Sequence, residues 1–165
     1  MGCDIHWYVE RYTTEPENET VPNSKVNKRD NRVNELLGEK SEPRWISMDK
    51  WEAEDYGGGN MHWSNYPNSF YGGRNYTLFA KLAGVRSWGD SAICPPKGIP
   101  DDASDAYIYI TKQWEGDGHS HSYFTLKELL DEDWSEFENF QETLKEMSKL
   151  DDNPENIRAV FFFDN

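Results

Sequence analysis

Three of the four histidines fall in two closely spaced groups, Asp4-Ile5-His6 near the start and His119-Ser120-His121 two-thirds of the way along. On an extended backbone, residues two apart point to the same face. If the two segments meet, Asp4, His6, His119 and His121 place one carboxylate and three imidazoles together. That set suits a divalent transition metal such as zinc, manganese or iron, with these four residues as its ligands. It suits metal-free acid–base chemistry equally well, because histidine titrates near neutral pH and a carboxylate can fix its tautomer. His119 or His121 would then be the general base or acid, and Asp4 would orient an imidazole or bind metal. The plain alternative is local: a strand-end hydrogen bond for His6 and a capping turn for Ser120-His121-Ser122. His62 reads as a loop histidine.

A second candidate site is anionic in preference. Gly72-Gly73-Arg74-Asn75 opens an expected helix, where backbone amides and an adjacent guanidinium can hold a phosphate. Arg86 follows the end of that helix and can reach another negative group. Tyr76, Trp88 and the aromatics of 56–71 offer faces on which a nucleobase can stack. The candidate ligand-binding set is therefore Arg74, Asn75, Tyr76, Arg86 and Trp88. Against it stands the ordinary fate of arginines in an acidic chain, pairing with surface carboxylates, and of loop aromatics, which is packing.

The elements that must carry these residues are legible in part. Residues 4–13 alternate as a strand, with Ile5, Trp7 and Val9 on one face and Asp4, His6, Tyr8, Glu10 and Tyr12 on the other. One apolar and one polar face fit an antiparallel sheet. Residues 14–43 are poor in large apolar groups and read as a solvated excursion with one helical turn near Val33–Leu37. A strand at 44–48 returns beside the first, and 52–73 reads as irregular. Asn75 to Ala83 predicts a helix with Gly84 at its end. Ser104 can cap a helix to about Trp114, although Tyr107-Ile108-Tyr109-Ile110 also permits a strand. His119–Phe124 reads as extended, Thr125 and Glu128 form a capping-box pattern, and 135–149 has helical periodicity. Ile157–Phe163 is the best candidate for a central strand. The expected fold is α+β, one domain over 1–165, with a mainly antiparallel sheet of three to five strands and helices packed on one face.

Composition narrows the function classes. The 165 residues carry 17 basic and 31 acidic side chains, a net charge of −14 and a pI near 4.6. That balance argues against coating a nucleic-acid polymer, which draws its affinity from a basic face. Mean hydropathy is low at −0.94, yet seven Trp, nine Tyr and eight Phe set the chain apart from disordered sequences. No apolar run is long enough for a membrane span. Two cysteines, Cys3 and Cys94, fit a reducing cytosol rather than a disulfide framework, and the opening residues lack the features of a secretion signal. Residues 127–156 hold eleven acids against three lysines, a solvated helix face or a charge surface mimicking a nucleic-acid backbone.

Asp4-Ile5-His6 and Gly118-His119-Ser120-His121 share letters with the calcineurin-like metallophosphoesterases. The order of Gly59-Asn60 and Gly89-Asp90 departs from that family, however, and its alternating β-α units are missing. The opening Met-Gly-Cys-Asp-Ile-His resembles instead a largely uncharacterised family of phage and bacterial proteins. The resemblance extends to Gly73-Arg74-Asn75-Tyr76 with Leu78-Phe79-Ala80, Ala83-Gly84-Val85-Arg86, Gly98-Ile99-Pro100, Asp117–Ser122 and Phe161–Asn165. It implies a small phage-borne protein in the host cytosol, and by analogy one that defeats host defence. The expected activity is cleavage of a small nucleotide signal, cyclic or of ADP-ribose type. The alternatives are a sponge that sequesters such a nucleotide, with pockets at a homo-oligomer interface, and an acidic mimic that blocks a protein partner.

Overall fold

Ile157–Phe163 is the most apolar run in the chain, and in the computed structural model all seven of its residues are buried within one strand. The structure describes residues 2–17, 42–59, 61–65, 69–89 and 92–165. Most of the expected excursion at 14–43, its helical turn near Val33–Leu37 and Tyr66 lie outside the described residues. The strands are β1 (Ile5–Thr13), β2 (Arg44–Ser47), β3 (Glu52–Asp55), β4 (Met61–Ser64), β5 (His119–Thr125) and β6 (Ile157–Phe163). The helices are α1 (Tyr76–Ala83), α2 (Asp105–Gln113), α3 (Leu126–Leu130) and α4 (Glu138–Ser148), with a 3-10 turn at Pro154–Asn156. β2, β1, β6 and β5 lie side by side in that order, each pair antiparallel, while β3 and β4 form a separate hairpin. The fold is α+β.

Alternation along β1 and β6 gives the sheet two apolar faces rather than one. On the first, Ile5, Trp7, Val9, Phe161 and Phe163 pack with residues of α1, α3 and α4. On the second, Tyr8, Val160 and Phe162 pack with Ala106, Tyr107 and Ile110 of α2 and with Trp51. α2 therefore covers the reverse of the sheet. The ambiguous Tyr107–Ile110 run is helical because Ser104 caps it, its side chain accepting from the amide of Tyr107. α1 is capped by Asn75 and closed by Gly84 at φ 70°, the left-handed geometry that suits glycine. The Thr125–Glu128 capping box is formed in full. The β3–β4 hairpin replaces part of the irregular stretch expected over 52–73; Glu52-Ala53-Glu54-Asp55 is fully exposed and shows no apolar alternation to mark a strand.

Three acidic side chains are buried where backbone amides need acceptors. Asp49 accepts from the Val9 amide at 2.8 Å and from Asn65 at 3.2 Å. Burial pushes its carboxyl up to about 7, and Glu17, which accepts from the Ser47 amide at 2.8 Å, is likewise pushed by burial to about 7. Glu10 joins Arg158 at 2.6 Å in a pair with both side chains buried and also accepts from the Ser104 amide at 2.6 Å. Arg158 reaches on to Asp102 at 2.9 Å and lies over Trp45 at 4.0 Å. This network ties β1 and β6 to the start of α2.

Removing one partner of a buried pair strands the other charge. Arg158→Ala should lower the unfolding free energy by about 3–5 kcal/mol in urea titrations; a loss below about 1 kcal/mol would show that solvent replaces the guanidinium. For Asp49, a folded-state value above the unfolded one means the native protein holds the proton longer. Its contribution is full below pH ~4 and is lost as pH rises toward about 7. The stability advantage of wild type over Asp49→Asn should therefore shrink across that window, and a pH-independent difference would refute the burial argument.

Candidate functional site

The start of β1, the start of β5 and the end of β6 meet at one end of the sheet, which brings the two histidine segments to neighbouring positions on a common strand. His6 pairs with Phe162 and His119 with Phe163 in register. The imidazoles do not converge, however. His6 stacks on Phe162 with centroids 4.6 Å apart and planes 3° from parallel, and His121 stacks on the same ring at 5.2 Å and 29°. Because β6 runs between β1 and β5, the phenyl ring separates the two imidazoles.

His119 and His121 also part company. A β-bulge interrupts the register between His119 and Ser122, and Ser120 sits at φ 54°, a left-handed conformation uncommon for a residue with a side chain. The extra residue breaks the period of two. His119 therefore falls on the Phe163 side, 6.3 Å from that ring, and His121 falls on the Phe162 side. The expectation that both would share a face assumed an unbroken strand. Nδ1 of His119 lies 3.0 Å from the Ser120 hydroxyl, and its Nε2 is buried with no hydrogen-bond partner among the described residues. Burial, with His119 nearby, holds the His121 imidazole below the usual histidine range, so it is neutral at pH 7.

The carboxylate that orients His6 is Asp164, not Asp4. Nε2 of His6 lies 2.8 Å from Oδ2 of Asp164, with both side chains largely buried. The ring is further pinned by Trp114 at 4.4 Å. An ionised carboxylate can only accept, which places the proton of the neutral imidazole on Nε2 and leaves the lone pair on Nδ1. Asp164 lies one residue past the apolar strand, and only the pairing of β1 with β6 reveals that it faces His6. The Asp4 amide donates to the other Asp164 oxygen at 2.9 Å.

Asp4 itself is taken by Arg74, whose Nε and Nη2 donate to its two oxygens at 2.9 and 3.0 Å. The bonds from Arg74 hold the Asp4 carboxyl below the usual aspartate range. Gly2 makes room for this pairing, since a Cβ there would run into the Arg74 guanidinium. Asn75 uses its side chain on the Leu78 amide at 3.1 Å, and the Tyr76 hydroxyl accepts from the Cys3 amide at 3.2 Å. Arg86, at φ 55°, lies over the Tyr76 ring at 5.5 Å and hydrogen-bonds the Cys3 thiol. Trp88 projects into solvent, 97% exposed. His62 packs against Tyr56 at 5.0 Å in the β3–β4 hairpin, on a different element from the other three.

Among the described residues no three His, Cys, Asp or Glu side chains are grouped so as to hold a metal ion. The expected four-residue set is divided by Phe162, by the bulge and by the Asp4–Arg74 pair. What the sheet end does offer is an oriented imidazole and a neutral one on the same side of the sheet, joined through Asp164 and Asp4 to an arginine. The acids of 127–156 are spread over α3, α4 and their connections, and several pair locally, as in Lys145–Glu142 at 2.9 Å and Lys149–Glu146 at 2.7 Å. No helix of the described residues is long and apolar enough to cross a membrane.

Comparison with protein-family models, curated proteins and solved structures finds no match for this chain.

The Asp4–Arg74 pair can be tested directly. Arg74→Ala should return the Asp4 titration, followed by carboxyl NMR, to the ordinary aspartate range, and Gly2→Ala should do the same by pushing the guanidinium aside. With both side chains about half exposed, both variants should melt close to wild type, since exposed pairs contribute little to stability. An unmoved Asp4 titration would show that the pair does not persist in solution.

Proposed function

We propose that the protein hydrolyses a phosphodiester or pyrophosphate linkage in a small nucleotide, of cyclic or ADP-ribose type, at the end of the sheet where β1, β5 and β6 meet. The observation that carries this reading is the pair of imidazoles flanking Phe162, one fixed by Asp164 and the other kept neutral. In-line displacement at phosphorus needs its base and its acid on opposite sides of the reacting atom. Two imidazoles held apart on one face serve that better than two in contact. His121, neutral at pH 7, accepts a proton from the attacking water as the oxygen–phosphorus bond forms. His6 acts as the imidazolium: with its Nε2–H held by Asp164, it delivers the Nδ1 proton to the oxygen that leaves as the second bond breaks. Arg74 and Arg86 supply positive charge for the non-bridging oxygens. The phage-family resemblance supports a role in countering host signalling, with the host cytosol as the compartment.

A second reading is sequestration without cleavage. It draws support from Phe162 itself, which fills the space between the imidazoles, and from the Asp4–Arg74 pair, which an anionic ligand must displace. Incubation with a panel of cyclic nucleotides, dinucleotides and ADP-ribose, followed by heat denaturation, separates the two: an enzyme releases product and a sponge releases intact ligand. For the enzyme, His121→Ala and His6→Ala should each lower kcat by about 10²-fold or more, assayed well below each variant's melting transition because each removes a ring packed on Phe162. The rate should follow a bell in pH, its rising limb below the ordinary histidine value because burial depresses the His121 pKa, and it should fall again as the general acid loses its proton. Wild-type turnover in His121→Ala, or intact release of every panel member, would reject hydrolysis at this site.

A further inference from the structure

Beside Arg74, and with no histidine in its lining, a groove of about 690 Å³ runs between the segment leading into α1 and the start of α4. Its size is that of small-molecule sites, which span about 300–1,000 Å³. The segment leading into α1 contributes Tyr71 and Arg74, and the start of α4 contributes Glu136, Phe137 and Glu138. The lining thus combines a guanidinium and an aromatic ring on one wall with carboxylates and a second ring on the other. A ligand that fits combines an anionic group, a flat apolar body and N–H donors.

We infer that this groove binds a nucleoside monophosphate unit whose base presents N–H donors, guanine above all, with its phosphate on Arg74 in place of the Asp4 carboxylate. Ionised carboxylates only accept hydrogen bonds. Guanine offers ring and exocyclic N–H groups to such an acceptor, whereas uracil has no amino group to give. The Asp4 carboxylate grips Arg74 through both oxygens at 2.9 and 3.0 Å, the bidentate geometry that a phosphate also adopts on arginine. The pair is half exposed, 50% for Arg74 and 45% for Asp4, and pairs of that kind are weak enough for a ligand to displace. Asp4 thus holds the place of the phosphate in the ligand-free protein. The inference rests on the nucleotide reading above and deepens it: the base lies in the groove, and the phosphate lies at the arginine linked through Asp4 and Asp164 to His6.

Calorimetric titration of the intact protein with GMP, UMP and guanosine tests it, with amide NMR to locate the contact. GMP should bind at least tenfold more tightly than UMP, with shifts concentrated in 70–75 and 136–143. Arg74→Ala should weaken GMP at least tenfold while leaving guanosine unchanged. Glu136→Gln with Glu138→Gln should erase the preference over UMP. Asp4→Asn should tighten GMP by about two- to fivefold, the range expected from releasing an exposed pair. Equal affinity for GMP and UMP, weaker GMP binding in Asp4→Asn, or shifts confined to other segments would overturn the assignment. If nucleotides are cleaved by the wild type but perturb only the histidine end, the groove assignment fails and hydrolysis stands. If GMP binds in the groove and no nucleotide is cleaved, the groove stands and hydrolysis fails.

Discussion

The structure depends on β6 being apolar on both sides. A strand that alternates apolar and polar residues can support one packed layer; Ile157–Phe163 supports two, because each of its positions meets a covered face. Phe161 and Phe163 anchor the layer formed by α1, α3 and α4, while Val160 and Phe162 anchor α2. Its one charged member, Arg158, is admitted to the interior only because Glu10 and Asp102 meet it there. Pairing with β1 on one side and β5 on the other then brings segments more than a hundred residues apart to a single edge. The candidate site is a by-product of that pairing.

The same strand limits what the site can do. Phe162 is needed for packing against α2, and it is also the surface on which His6 and His121 lie. The aromatic ring orients both imidazoles and keeps them apart. A metal-type convergence would need that ring elsewhere, at the expense of the second layer. Proton transfer to two different oxygens asks for no such rearrangement. Packing and chemistry share one side chain here, so substitutions at Phe162 cannot separate the two roles.

Much of the architecture was legible in the sequence, and the reasons are local. Asn75 with Gly84, Ser104, and Thr125 with Glu128 are capping signals whose physics acts within a few residues, and each works in the structure as its chemistry suggests. The central placement of Ile157–Phe163 followed from its unbroken apolar run. The site was legible only in outline. Proximity of the histidine segments could be guessed, but the bulge at Ser120 could not, since nothing in His-Ser-His marks an extra residue. Asp164 was invisible for a different reason: its role depends on a strand partner some 158 positions away. Glu52–Asp55 escaped because a solvated hairpin has no buried face to leave a pattern.

Thr13 and Arg44 are partners across the β1–β2 ladder, and Glu17 reaches across to the Ser47 amide. The polypeptide therefore departs from the sheet and rejoins it through a single closed neck. With the ends already fixed at that neck, lengthening what lies between them costs little, about 0.6 kcal/mol of closure entropy for each doubling. Length added between those ends therefore starts from positions that the Thr13–Arg44 and Glu17–Ser47 contacts already hold beside the sheet.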